Sequence, residues 1–189
     1  MNVKLVSYSQ PTEDFRAQGI DDAQELIAFC ARVSNPSNQF NNETSEKLIR
    51  YLVRHQHWSP LEMVSVCMEI TTTRDIARQI LRHRSFSFQE FSQRYADPTK
   101  DLKFVTREAR LQDPKNRQNS VEVEDQLLQN EWFRAQQRVI YAAQREYEWA
   151  IANGIAKEQA RAVLPEGLIQ SRLYMAGTLR SWIHFIELR

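Results

Sequence analysis

Glycine is scarce in this chain of 189 residues: only Gly19, Gly154, Gly167 and Gly177 occur. None falls into a GxGxxG pattern or a P-loop pattern, so a backbone cradle of the Rossmann or P-loop kind is excluded. A nucleotide bound here must be met by side-chain cations and helix ends. Cysteine is scarcer still. Cys30 and Cys67 have no CxxC spacing and no partner motif, which speaks against a disulfide framework and for a reducing compartment. Charge excess is also missing: 25 basic and 24 acidic side chains leave a formal net charge of +1. A protein that coats nucleic acid carries a large basic excess, so any anion site must be a local cluster. No apolar run is long enough to span a membrane, and Met1–Gln10 lacks the basic and apolar regions of a signal peptide. A soluble cytoplasmic protein is the expectation.

What is present is enough for one α+β domain. The apolar share is 42% and the charged share 26%, which supports a real core. Val3 to Tyr8 alternates as a short strand, and Pro11 to Ile20 reads as a loop. Asp21 or Asp22 caps a helix reaching about Arg32. Thr44 or Ser45 opens a second helix, with Leu48, Ile49, Leu52 and Val53 on one face. Leu61 to Thr73 alternates over thirteen positions and predicts one long strand. Thr73 is expected to cap a third helix reaching about His83, on which Arg74, Arg78 and Arg82 recur every four residues. Ser85 to Arg94 reads as irregular or as short strand. Asp97 to Asn119 is the least ordered stretch, with one strand expected at Leu102 to Thr106. A long helix follows, from about Val121 to Ala152, with Leu128, Trp132, Ala135, Val139, Ala142 and Tyr147 as its seam. Asn153-Gly154 ends it. A short helix over about Lys157 to Val163, a strand or a transition at Leu168 to Ala176 and a last helix capped by Thr178 complete the chain.

The densest chemistry lies between Gln79 and Tyr95. Arginines, one histidine, three serines and a lone acid, Glu90, alternate there with aromatic residues. Guanidinium groups match phosphate oxygens bidentately, and arginine interleaved with aromatic rings suits a stacked base or ring. A solvated basic helix end is the bland alternative, and a nucleic-acid-binding module is another. The near-neutral charge counts against the latter.

Spacing decides among these. Arg82-His83-Arg84, seven residues, then Ser92 with Arg94 two further on, resembles the signature of flavin-dependent thymidylate synthases. Four further segments match in order. Cys30-Ala31-Arg32-Val33-Ser34 resembles the family's ARVS segment, and His55 to Glu62 its HxHxxPxE stretch. Ala160 to Pro165 resembles its ARxVLP. Leu179 to Phe185, followed by Leu188-Arg189, resembles its LRSWxHFxxLR ending.

The resemblance implies an antiparallel sheet with a long strand packed by helices, in a homotetramer whose sites are shared between subunits. It implies a methyltransferase that makes dTMP from dUMP, with methylenetetrahydrofolate as one-carbon donor and FAD, reduced by NADPH, as hydride carrier. No cysteine nucleophile is used, and neither cysteine here lies in a polar cluster. Gln79, Arg82, Glu90, Ser92, Gln93, Arg94 and Arg161 match dUMP-binding positions. Arg189 matches the catalytic arginine that faces uracil and favours ionisation at N3; a fixed cation beside a weakly acidic N–H lowers its pKa. Ser59, Arg82, His83, Arg84, Glu90, Thr178, Arg180 and His184 match flavin-contacting positions. Ser34 and His57 match residues lining the flavin or folate pocket. His55 and His57 have the spacing of two metal ligands, but no third ligand accompanies them, so no metal is expected. Family members continue with a further helical segment beyond the position of Arg189. The expectation is therefore a single domain over residues 1–189 that lacks this C-terminal extension, without nucleic-acid or membrane partners.

Overall fold

The computed structural model describes residues 1–188, and its architecture is α+β, with antiparallel sheet and helices. Strands are β1 (Asn2–Tyr8), β2 (Ser65–Thr73), β3 (Ser87–Glu90), β4 (Arg110–Gln112), β5 (Ser120–Glu122) and β6 (Gln170–Thr178). Helices are α1 (Glu13–Arg16), α2 (Ala23–Ala31), α3 (Ser45–Arg54), α4 (Arg74–Ile80), α5 (Pro98–Asp101), α6 (Gln126–Ala152), α7 (Lys157–Ala160) and α8 (Leu179–Glu187). One sheet has the order β1-β2-β6-β3, and β4 pairs antiparallel with β5, Leu111 opposite Val121. The chain resolves into two compact units, Thr71–Arg82 with Glu90–Arg172 and Asn2–Ile70 with His83–Gln89 and Leu173–Arg189. β2, β3 and β6 contribute residues to both.

In the unit built mainly from the N-terminal half, Asp22 caps α2 as expected, its carboxylate accepting from the Glu25 N–H at 2.8 Å. The α2 and α3 stripes close over Ile27, Leu52, Leu61 and Val64. Burying each such aliphatic side chain stabilises by roughly 1.5–3 kcal/mol. The long strand is shorter than its alternation suggests. Ser59–Glu62 forms a 3-10 turn with Pro60 at its second position, so β2 begins at Ser65; proline presets the turn dihedral and withholds a ladder donor. Pro11 to Ile20, read as loop, holds the single helical turn α1. α8 is capped by Thr178, whose Oγ1 accepts from the Ser181 N–H at 3.3 Å.

The other unit is organised on α6, whose first turn is capped by Asp125. The helix starts at Gln126 because Ser120–Glu122 is committed to β5. Its buried face shares only Tyr147 with the expected seam. Gln136, Ile140, Ala143, Tyr147 and Ala150 are buried, whereas Trp132 and Val139 are 43% and 48% exposed. Gln136 turns inward because its amide clamps a neighbouring strand-like segment: Oε1 accepts the Arg107 N–H at 2.8 Å and Nε2 donates to the Arg107 carbonyl at 2.9 Å. A buried amide satisfied on both sides carries little penalty. Tyr147 and Ala150 pack with Ala160, Leu164 and Ile169. Gly154 ends the helix with φ +77°, a left-handed conformation that suits glycine. The expected strand at Leu102 to Thr106 is reduced to one bridge, Phe104 to Ile169. Thr73 makes no capping bond to α4. Its hydroxyl instead accepts from Arg107 at 2.7 Å. Among the described residues no helix is long and apolar enough to cross a membrane.

Candidate functional site

Four-residue spacing puts Arg74 and Arg78 on one side of α4, and tertiary contacts give that side its chemistry. The N-terminus of α4 is pinned by backbone bonds, Arg74 N–H to the Ile169 carbonyl at 3.0 Å and Asp75 N–H to the Glu166 carbonyl at 3.2 Å. Arg74 is 8% exposed. Its Nη1 lies 3.4 Å from Glu90 Oε1 and its Nε 3.7 Å from Glu166 Oε1. Arg78 also pairs with Glu166. Glu90 receives a second donor, the hydroxyl of the fully buried Ser171, at 2.6 Å. A carboxylate with two such partners is held in one orientation.

These groups border a cavity of about 250 Å³ lined by Arg74, Arg78, Gln93, Arg161, Leu164 and Glu166. Arg161 stands where α7 tightens into a 3-10 turn, and its Nε donates to the Glu158 carbonyl at 3.1 Å. Gln93 is 3% exposed, and its Nε2 is buried without a hydrogen-bond partner among the described residues. An orphaned buried donor costs roughly 1–3 kcal/mol. Three guanidinium groups against one wall carboxylate, with an amide N–H to spare, make an anion site with a polar edge. In the first turn of α4 the Asp75 carboxyl feels burial, which pulls its pKa up. The hydrogen bonds from Thr73 and Arg107 and the Arg107 charge outweigh it, and hold the group below the usual carboxylate range.

Of the residues expected to bind substrate, Gln93 and Arg161 thus line one cavity, and Glu90 is joined to its wall through Arg74. Ser92 and Arg94 flank Gln93 in sequence. Ser92 Oγ accepts the Arg94 N–H at 3.4 Å, and Arg94 Nη2 lies 3.4 Å from Glu158 Oε2. Gln79 and Arg82 are exposed at the end of α4 and beyond it and do not line the cavity. Arg74, Arg78, Glu166 and Ser171 were not among the expected site residues. The four-residue recurrence of arginines was a signal for the first two. Nothing local marks the others.

In the other unit, a hollow of about 380 Å³ is lined by Ser65, Arg84, Ser85, Ser87, Gly177 and Thr178. One exposed guanidinium among four hydroxyls suits a phosphate or diphosphate. Gly177 is required there, because a Cβ would lie 2.5 Å from Phe86 Cδ1. Phe86 itself packs edge-on against Trp182 at 4.9 Å. Of the expected flavin positions, Arg84 and Thr178 therefore share a wall. Arg180 and His184 lie on one face of α8: Arg180 pairs with Glu62, and His184 packs edge-on against Trp58 at 4.6 Å. His83 stands edge-on to Phe185 at 4.8 Å. Ser59 opens the 3-10 turn beside Trp58 and is exposed. His57 groups with Tyr51 and His55, and Ser34 lines a separate cavity beside α3. The expected role of Arg189 falls outside the described residues.

Comparison with known proteins follows the same lines. The family model described as Thymidylate synthase complementing protein, Thy1, matches residues 17–189. A probable flavin-dependent thymidylate synthase of Paramecium bursaria Chlorella virus 1 is 47% identical over 190 residues, covering 100% of this chain and 84% of that relative. A flavin-dependent thymidylate synthase of Synechocystis sp. is 46% identical over 100% of this chain and 85% of its own length. Among solved structures, the UMP/dUMP methylase PolB of Streptomyces cacaoi bound with 5-Br dUMP is similar at a TM-score of 0.74. Its sequence identity is 28%, over 97% of this chain and 75% of that one.

Proposed function

Because this chain belongs to the Thy1 family of flavin-dependent thymidylate synthases, we propose that it methylates dUMP to dTMP. In this reading methylenetetrahydrofolate supplies the one-carbon unit and FAD, reduced by NADPH, the hydride, in a homotetramer whose sites are shared between subunits. The observation that carries it is the arginine-lined cavity around Gln93, with its buried, unpartnered Nε2. A nucleotide suits that cavity chemically: the phosphate meets Arg161 and the α4 guanidiniums, and a carbonyl edge or phosphate oxygen accepts from Gln93. Ser92 and Arg94 add a hydroxyl and a cation beside it. Glu90, held by Arg74 and Ser171, is the oriented acceptor for an N–H of the bound ring or of the flavin. Gln79 and Arg82 complete the nucleotide contacts.

The hollow at Arg84, Ser85, Ser87 and Thr178 fits the flavin's diphosphate. His83, Ser59, Arg180 and His184 supply further contacts, and Ser34 and His57 line the flavin or folate pocket. Bound flavin contributes the redox chemistry that protein side chains lack. What the chain contributes is position and charge. Arg189 is the cation proposed to face uracil and favour loss of the N3 proton, which activates the ring without a covalent bond. Two facts support the absence of a cysteine nucleophile. Neither cysteine lines the nucleotide cavity, and burial pushes the Cys30 thiol up, away from the reactive thiolate.

The test is direct. Purified full-length chain should be yellow, should show a shift of the flavin spectrum on adding dUMP, and should form dTMP when NADPH and methylenetetrahydrofolate are supplied. A colourless protein without affinity for added FAD refutes the reading.

A further inference from the structure

A cavity of about 550 Å³ stands between the end of α2, the segment after it and α3, and the nucleotide and flavin assignments above leave most of it unused. Its wall includes Arg32, Asn35, Asn38, Lys47 and Tyr51, and Ser34 at one edge. The volume lies in the range of small-molecule sites. Arg32 is 7% exposed. Its guanidinium is held only by neutral oxygens, the Asn41 carbonyl and Thr44 Oγ1, the latter at 2.9 Å. Among the described residues no carboxylate comes within the 4.0 Å of an ion pair with Arg32 or with Lys47. The nearby acid Glu46 is taken by Arg50 at 2.6 Å. A buried cation without a counter-charge is costly unless something else supplies one, and no acid lines this wall.

Tyr51 connects the cavity to an aromatic row. Its ring centroid lies 4.2 Å from that of His55 and 6.0 Å from that of His57. His57 is the residue proposed above for the flavin or folate pocket, so a ligand reaching from His57 along Tyr51 ends between Arg32 and Lys47. Such a ligand carries an aromatic ring, then amides for Asn35 and Asn38, then carboxylates. We propose that this cavity binds the p-aminobenzoyl-glutamate tail of the folate cosubstrate, and that Arg32 and Lys47 make the enzyme prefer polyglutamylated folate. A dinucleotide phosphate is the competing source of negative charge. It is disfavoured by the absence of any glycine among the lining residues, since close backbone approach is how such phosphates are usually held. The proposal rests on the reading that folate is a cosubstrate.

The experiment titrates the flavin-loaded full chain, in the presence of dUMP, with tetrahydrofolate carrying one or three glutamates, by calorimetry. The triglutamate should bind roughly three- to ten-fold more tightly, the scale of a few solvent-facing ion pairs. Lys47→Glu, on an exposed wall position where folding is not at stake, should reduce that ratio to about one, and Lys47→Arg should restore it. p-Aminobenzoyl-triglutamate alone should bind the parent chain and not Lys47→Glu. Equal affinity for the two folates, or a ratio untouched by Lys47→Glu, overturns the proposal while leaving folate as cosubstrate. Lys47-dependent binding of 2′,5′-ADP without binding of p-aminobenzoyl-triglutamate gives the cavity to a dinucleotide and also overturns it. Failure of both folates to bind the parent chain refutes the cosubstrate reading itself.

Discussion

Replacing Gln93 by Met should make the free protein more stable and the nucleotide complex weaker, and the two effects should be of similar size. Gln93 is 3% exposed and its Nε2 has no partner among the described residues, so the free protein carries the desolvation cost of an amide donor, roughly 1–3 kcal/mol. Methionine has a similar length and volume and no polar hydrogen to satisfy. The free variant should therefore gain about 1–2 kcal/mol, which for a chain of this size raises Tm by about 2–8 °C. If the cavity of Arg74, Arg78 and Arg161 binds dUMP, the same substitution removes a hydrogen bond that forms in the complex. Affinity should then fall by about 1–2 kcal/mol, or roughly 5- to 30-fold in Kd. Thermal denaturation of the ligand-free chain measures the first effect, and calorimetric titration with dUMP the second. Ligand stabilisation offers a cross-check, because a saturating ligand at about 100 times its Kd adds roughly 2.7 kcal/mol. The variant should melt higher than the parent without dUMP and gain less from it. A variant that melts lower when free, or that binds dUMP as the parent does, refutes the assignment of Gln93 as an unfilled donor in a nucleotide site.

Two further outcomes follow from local geometry. Gly177→Ala places a Cβ 2.5 Å from Phe86 Cδ1 and 2.8 Å from its Cε1, and the ring is wedged against Trp182 and Phe185. It should cost about 1–3 kcal/mol and loosen flavin retention, read by denaturant melts and by flavin released on gel filtration; Gly167→Ala, whose Cβ would meet Asp75 Oδ2 at an ordinary 3.8 Å, should be near neutral. Asp75 has a lowered pKa in the folded chain, so its ionised form adds stability above the ordinary value of 3.8 and loses it as pH falls through the lowered folded value. The stability gap between parent and Asp75→Asn should therefore be full near neutral pH and shrink below about pH 4; a gap that is flat with pH removes Asp75 as the partner of Arg107.

Much of the molecule was legible along the chain wherever the deciding interactions are between sequence neighbours. Asp22 before an apolar helical pattern marks the start of α2, and Thr178 that of α8, because a capping oxygen reaches N–H groups only three residues on. Gly154 ends α6 for an equally local reason, its φ of +77°. The family was legible too. Five ordered segments, with Arg82-His83-Arg84 and Ser92 at a fixed separation, carry chemistry that needs those residue types at that spacing.

Tertiary structure decided what neighbours leave undetermined. α6 presents two stripes, the expected seam from Leu128 to Tyr147 and a face from Gln136 to Ala150 that meets it at Tyr147, and the helix buries the one containing a glutamine. The choice rests on Arg107, distant in sequence, whose backbone offers Gln136 both a donor and an acceptor. Alternation alone ran β2 through residues that Pro60 turns away. Arg74 shows the division most sharply. Its place in a row of arginines is written in the sequence. Its burial against Glu90 and Glu166, and the hold of Ser171 on Glu90, exist only because folding brings together groups that are far apart along the chain. Charge and hydrogen bonding act over ångströms in space, so the residue types were legible in order, while their partners, and the burial of Gln93, belong to the fold.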